Sequence, residues 1–150
     1  MTSPGERISE DLRAAMKAGA KIRLAALRML ATSIRNREVE VGHELSEDEF
    51  LEVVAREVKR RKEAAEAYDA AGRAELAERE RQEEEALEGY LPEALSEEQV
   101  DALVEEAVAA TGASGPGDMG KVMGHVMGRA RGRVDGAAVS ARVRERLSGG

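Results

Sequence analysis

Three times in this chain a serine is followed three residues later by a glutamate or glutamine: Ser3-Pro-Gly-Glu6, Ser46-Glu-Asp-Glu49 and Ser96-Glu-Glu-Gln99. Each is a capping box, in which the serine hydroxyl and the acidic or amide side chain satisfy each other's free backbone N–H groups at a helix start. Three such boxes fix where helices begin. Pro4 adds a residue whose fixed φ suits the first helical position. Downstream of each box the apolar residues recur at helical spacing. Ile8, Leu12, Ala15 and Met16 form the first stripe, which Gly19 breaks. A second helix is expected from about Ala20 to Val41 on Ile22, Ala26, Met29, Leu30 and Ile34, ending at Gly42. The second box opens a long helix through Phe50, Val53, Val54 and Val58 to about Ala71, and Gly72 stops or bends it. Arg73 to Glu88 reads as a polar, acidic helix whose apolar residues are Leu76 and Leu87. Gly89-Tyr-Leu-Pro92 is the strongest break: the glycine suits a helix C-cap and the proline bars continuation. The third box opens a helix through Val100, Leu103, Val104 and Val108 to Thr111. No alternating strand pattern competes. The spacing predicts an all-α, multihelical protein of six or seven helices, with an N-terminal helical subdomain over 1–91 and a smaller three-helix subdomain over 92–150.

Composition narrows the chemistry. Phe50, Tyr68 and Tyr90 are the only aromatic residues among 150, so the core must be aliphatic. No cysteine is present, which excludes disulfides, thiolate metal sites and thiol nucleophiles. His43 and His125 are the only imidazoles. No long apolar run exists and the opening residues do not resemble a signal peptide, so the expectation is a soluble, cytoplasmic protein without membrane contact. No metal, cofactor or catalytic constellation is expected. The oligomeric state is left open.

The net charge of -7 hides a block distribution. Arg13 to Arg37 holds seven basic residues and no acidic one, and Arg56 to Lys62 holds five basic residues against Glu57. Glu63 to Glu106 has three basic residues against sixteen acidic, and from Ala107 onward seven basic residues face three acidic. Such asymmetry points to a side that faces a polyanion; solvated charge on helix surfaces is the competing reading. Glu83-Glu84-Glu85 reads as a solvated face, and His125 as a surface residue.

Near the C-terminus, glycine falls at every fourth position: Gly120, Gly124, Gly128, Gly132 and Gly136. A helical glycine costs about 1 kcal/mol against alanine, so the ladder asks for a reason. After the loop Gly112-Ala-Ser-Gly-Pro-Gly117, Pro116 suits a first helical position, and a helix follows to about Arg131. Met119, Val122, Met123, Val126, Met127 and Ala130 make its apolar face, expected to pack on the helices at 97–111 and 136–148. Gly120, Gly124 and Gly128 then line one flank of that face, and Lys121, His125 and Arg129 the other. Gly132 is expected to cap the helix and Asp135 to start the next, with Val139, Val143 and Leu147 inward. Gly115 to Lys121 spells G-x-x-x-x-G-K. Val122 nevertheless stands where a phosphate-binding loop needs Ser or Thr, and a helix rather than a strand precedes it. No apolar 20-mer surrounds the ladder, which rules out a membrane glycine motif. Two readings stay open: close packing of a neighbouring helix against the glycines, or close approach of a nucleic-acid backbone. For the second, the candidate contacts are Lys121, Arg129, Arg131 and Arg133 with Gly120, Gly124 and Gly128.

At these residues the chain resembles the GatB/YqeY family. The resemblance rests on Asp118-Met-Gly-Lys-Val-Met-Gly124, on Gly132-Arg-Val-Asp-Gly136 followed by Val139, on Arg23-Leu-x-x-Leu-Arg-Met-Leu30, on Lys59-Arg-Arg-Lys-Glu-x-x-Glu-Ala-Tyr68 and on Glu88-Gly-Tyr-Leu-Pro92. It covers nearly the whole chain and is nearer to the free-standing members than to the tail of the amidotransferase B subunit. That tail usually carries a Gly-Lys-x-x-Pro turn where this chain has Gly132 to Gly136. The resemblance implies an all-α fold in two parts. It also implies tRNA as a partner, because the B-subunit module helps hold the tRNA whose misacylated amino acid is amidated. With the family comes a carbon–nitrogen ligase activity that uses glutamine as amide donor. The residues argue against autonomous catalysis of that kind: there is no cysteine nucleophile, no nucleotide loop and no grouping of nucleophile, base and oxyanion donors. Together with the resemblance, this points to an RNA-binding accessory protein, with tRNA as the RNA that the resemblance implies. The alternative is a non-catalytic adaptor that docks a protein partner in tRNA-dependent amidation through the methionine stripe or the acidic helix.

Overall fold

The computed structural model describes residues 2–149. All three capping boxes form. Glu6 N donates to Ser3 Oγ at 3.2 Å, Glu49 N to Ser46 Oγ at 3.2 Å and Gln99 N to Ser96 Oγ at 3.1 Å, and each partner side chain accepts from the serine N–H in return. They start α1 (Pro4–Ala18), α3 (Glu47–Ala70) and α5 (Glu97–Thr111). Between and after them lie α2 (Lys21–Val41), α4 (Ala74–Glu88), α6 (Met119–Ala130) and α7 (Gly136–Ser148), with one 3₁₀ turn over Pro116–Asp118. The described residues thus form seven α-helices and no strand, and the fold is all-α and multihelical, within the expected six or seven. None of these helices is long and apolar enough to cross a membrane.

Two compact units divide the chain, Met1–Leu91 and Pro92–Gly150. The first is built from α1 to α4. α3 and α4 are joined by a short turn and run antiparallel, so that Lys62 meets Glu84 and Asp69 meets Arg81. Ile8, Leu27, Leu30, Phe50, Val54 and Leu87 fill the core and are almost fully buried. Phe50 is the one large ring in it. Tyr90 stands edge-on to that ring at 6.1 Å, and the Arg7 guanidinium lies 4.9 Å from its centroid. Tyr90 in turn donates its hydroxyl to Asp11, which ties the segment after α4 to α1. Burial and the Asp11 hydrogen bond push the Tyr90 phenol above its ordinary range.

Gly89 corrects one expectation. Its φ is -60° with ψ -18°, ordinary right-handed helical backbone, so no left-handed cap is made there. α4 ends instead in turns closed by Tyr90 N to Leu87 O at 3.1 Å and Leu91 N to Glu88 O at 3.0 Å, just before Pro92 excludes further helix.

The second unit packs α5, α6 and α7 around Val100, Val104, Ala107, Val122, Val126, Val139, Val143 and Leu147. Such small side chains let three short helices approach closely. An ion-pair seam closes α5 on α7: Arg146 meets Glu105 at 2.5 Å, and Arg142 meets Asp101 while donating to the Glu97 carbonyl at 3.1 Å. Acidic residues one turn apart on α5 thus face basic residues one turn apart on α7.

Candidate nucleic-acid interface

α6 begins with a tight turn. Gly115 is extended, Pro116 opens the 3₁₀ turn, and Asp118 accepts from Ser114 N at 3.0 Å. That backbone hydrogen bond, helped by Lys121, holds the Asp118 carboxyl below the usual carboxylate range. From Met119 the helix is regular, with Val122 and Val126 buried against α5 and α7 and Ala130 buried one turn further on. Met119 and Met123 pack at the edge of that core. The apolar face falls where expected, but its centre is the valine row rather than the methionines.

This shift decides where the glycines go. Gly120, Gly124 and Gly128 lie two residues before Val122, Val126 and Ala130, which is about 200° round a helix at 100° per residue. They are therefore on the outside of α6, and all three are exposed. A Cβ built on any of them meets no atom within 4 Å. The helix-packing reading of these glycines is overturned for this chain, because no neighbouring helix occupies the stripe. What α6 presents is a strip of bare backbone, three turns long, open to solvent.

Lys121, His125 and Arg129 run beside that strip at the same four-residue interval. The Lys121 side chain is 69% exposed, with Asp118 Oδ1 at 3.9 Å. The Arg129 side chain is 60% exposed and is paired with Glu106 of α5 at 2.5 Å. His125 is more enclosed than a surface residue: its Nε2 is buried, 3.7 Å from the same Glu106 oxygen, and makes no hydrogen bond. Lys121 thus stands about 60° round the helix from Gly124, next to the glycine strip, whereas Arg129 stands about 140° from Gly124 and is turned toward Glu106 of α5.

Arg131 and Arg133 belong to a different feature. Ala130 to Arg133 is a type II turn, with Arg131 at φ -52° and ψ 126° and Gly132 at φ 77°. Arg133 N closes it on Ala130 O at 2.8 Å. Only glycine takes that third position without strain, so Gly132 serves a turn after the helix and not a helix cap. Arg131 is half-buried in the turn. Arg133 is committed to holding the chain: its Nε donates to Glu93 O at 2.9 Å, while its carbonyl accepts from Leu95 N at 2.9 Å. It fixes the segment before α5 to the turn after α6. Asp135 is the expected N-cap of α7, accepting from Ala137 N at 3.1 Å.

Sequence reasoning missed the most buried charge in the molecule. Glu57, Arg61 and Glu83 are 2%, 5% and 7% exposed. Arg61 Nη2 donates to Glu57 Oε2 at 3.2 Å and to Met29 Sδ at 3.0 Å, and Ser33 Oγ donates to Glu57 Oε1 at 2.5 Å. Its Nε faces Glu83 at 3.5 Å and Glu80 at 3.8 Å without a hydrogen bond. One guanidinium thus links α2, α3 and α4. Burial, and then the neighbouring Glu80, push the Glu83 carboxyl up. Glu84 beside it is pushed up to about 7, first by burial and then by its hydrogen bond and charge contact with Glu88. The reading of Glu83-Glu84-Glu85 as one solvated face is corrected: Glu85 is exposed, Glu84 is half-buried and Glu83 is core. The signal was present in α3, whose inward stripe runs Phe50, Val54, Glu57, Val58, Arg61, Ala65 straight through two charged residues. Among the described residues no group of three His, Cys, Asp or Glu side chains is arranged to hold a metal ion.

The family model described as Yqey-like protein matches residues 5–147 of the chain. No curated protein matches it.

Proposed function

The chain belongs to the YqeY-like family, and from that premise we propose that it is an RNA-binding accessory protein, with tRNA as its RNA. The observation that carries the reading is the open glycine strip of α6 beside the exposed Lys121. Three glycines on a solvated helix face lose helix stability and gain no packing inside the chain. They do allow another backbone to approach to contact distance. A sugar–phosphate strand laid along the strip meets Cα–H groups at close range and finds Lys121 along its edge, with Arg129 further round the helix beside Glu106. Phosphate contacts of this kind give affinity and register without reading sequence. With no exposed aromatic ring on α6 there is no platform for base stacking.

Gly124 is the residue on which to test this. A Cβ there meets nothing, and its φ is not in the left-handed region. Gly124→Ala is therefore expected to raise stability by up to about 1 kcal/mol. Gly124→Leu is expected to leave the melting temperature at or above that of the parent and to weaken binding of a labelled tRNA transcript at least about tenfold. The companion change Lys121→Ala is expected to flatten the salt dependence of binding by roughly one unit. A Gly124→Leu protein that binds the transcript like the parent sinks the α6 reading. If the same variant instead releases a co-purifying polypeptide, the strip is a protein-docking face and the adaptor reading replaces this one.

A further inference from the structure

Among the described residues, Arg56 and Lys59 of α3, Arg73 before α4 and Arg144 of α7 are exposed and scattered without an ion pair, and one further set of unpaired cations is grouped on α1 and α2. Arg129, Arg142 and Arg146 each face a carboxylate of α5. Arg60, Arg61, Lys62, Arg79 and Arg81 of α3 and α4 each face one too. In the basic block of α1 and α2, Arg37 pairs with Glu40 and Arg23 donates to the Tyr90 hydroxyl. Arg13, Lys17, Lys21, Arg28 and Arg35 are all exposed, and none has a carboxylate within ion-pair distance among the described residues. Three of them share one line. Lys21, Arg28 and Arg35 stand seven residues apart on α2, every second turn, on the side opposite the buried Ala26, Leu27, Leu30 and Ile34.

We infer that this ridge of α2 is a second contact for an RNA phosphate backbone, separate from the α6 strip; the inference rests on the RNA reading proposed above. Spacing argues for a long polyanion. Seven residues of helix advance about 10.5 Å, so the outer two cations are about 21 Å apart. Each lies beyond the screening length of about 8 Å from the next at physiological ionic strength, so the three do not converge on one small anion. A phosphate chain running along the helix meets all three and releases counterions at each. A lipid surface fits less well. Membrane-lying helices offer a broad apolar face to the bilayer; the apolar faces of α1 and α2 are buried in the core through Ile8, Ala15, Leu27 and Leu30, and only Met16, Met29 and Val39 are large apolar side chains exposed on them.

The test uses the full chain and a labelled tRNA transcript, titrated by fluorescence anisotropy over a salt series. The neutralised ridge K21A/R28A/R35A is compared with the charge-preserving ridge K21R/R28K/R35K. Alanine is the best helix former, so replacement on an exposed face keeps α2, and thermal melts check it. The inference expects the neutralised ridge to bind at least about tenfold more weakly near physiological salt, with a slope flatter by roughly two to three units. The charge-preserving ridge keeps both. A neutralised ridge with the parent's affinity and slope overturns the inference while leaving the RNA reading intact, since the parent still binds. A parent that forms no complex with the transcript overturns both. A charge-preserving ridge as weak as the neutralised one, or parent binding to phosphatidylserine vesicles but not to the transcript, overturns the ridge as an RNA contact.

Discussion

Glu84 carries the clearest consequence at the scale of single residues. Its carboxyl titrates near 7 in the folded chain against 4.5 as its ordinary value, because burial and the adjacent Glu88 disfavour its charge. Between those two values the folded chain holds a proton that the unfolded chain has released. The unfolded state binds fewer protons there, so stability falls as pH rises. The contribution of Glu84 is fully present below about 4.5 and is lost as pH rises through about 7. Lys62, with its Nζ 3.9 Å away, offsets only part of that loss. Glu84→Gln is expected to raise the melting temperature at neutral pH and to flatten its decline between pH 4.5 and 7. Melts of parent and variant across that range check it, and an unchanged slope contradicts it. Nothing in the run Glu83-Glu84-Glu85 separates one glutamate from the next by residue type. What separates them is the angle each takes on α4 relative to α3, which a charge count does not contain.

At the scale of elements, helix starts were legible because a capping box is a local device: serine and glutamate three residues apart suffice. Ends were less so. Gly89 has the residue type of a left-handed cap and the backbone of an ordinary helix, and Gly132 serves a type II turn rather than a cap. The α6 strip failed for a related reason. Its apolar set included three methionines, which broadened the apparent face and rotated its centre toward the glycines; in the fold the valine row sets the orientation. The Arg61 cluster ties α3 to α4 in a way that sequence periodicity could not supply. Arg61→Ala leaves Glu57 and Glu83 buried beside an absent cation, and is expected to cost about 3–5 kcal/mol. Because Glu83 is already pushed toward protonation, the deficit should shrink as pH falls. Urea denaturation at neutral and acid pH measures both; a deficit below about 1 kcal/mol, or one that does not change with pH, contradicts this account.

At the scale of the whole molecule, the block distribution of charge was visible in the sequence, but its meaning changes once pairs are known. The basic C-terminal stretch is partly paired with α5, three of its seven cations, Arg129, Arg142 and Arg146, facing Glu106, Asp101 and Glu105. In the basic stretch over α1 and α2, Arg13, Lys17, Lys21, Arg28 and Arg35 face no carboxylate among the described residues. We propose that the two units meeting at Pro92 are separate domains, each offering a phosphate-facing surface. We propose that this protein binds RNA through its phosphates. The most direct measurement is the affinity of the unmodified protein for a labelled tRNA transcript as salt is raised. Each neutralised phosphate contributes a slope of about 0.7 to 0.9 in log affinity against log salt. With the ridge and the α6 cations engaged, the predicted fall is linear with a slope of at least about three, alike for unrelated transcripts. A complex whose affinity is insensitive to salt, or no complex at low salt, contradicts the claim.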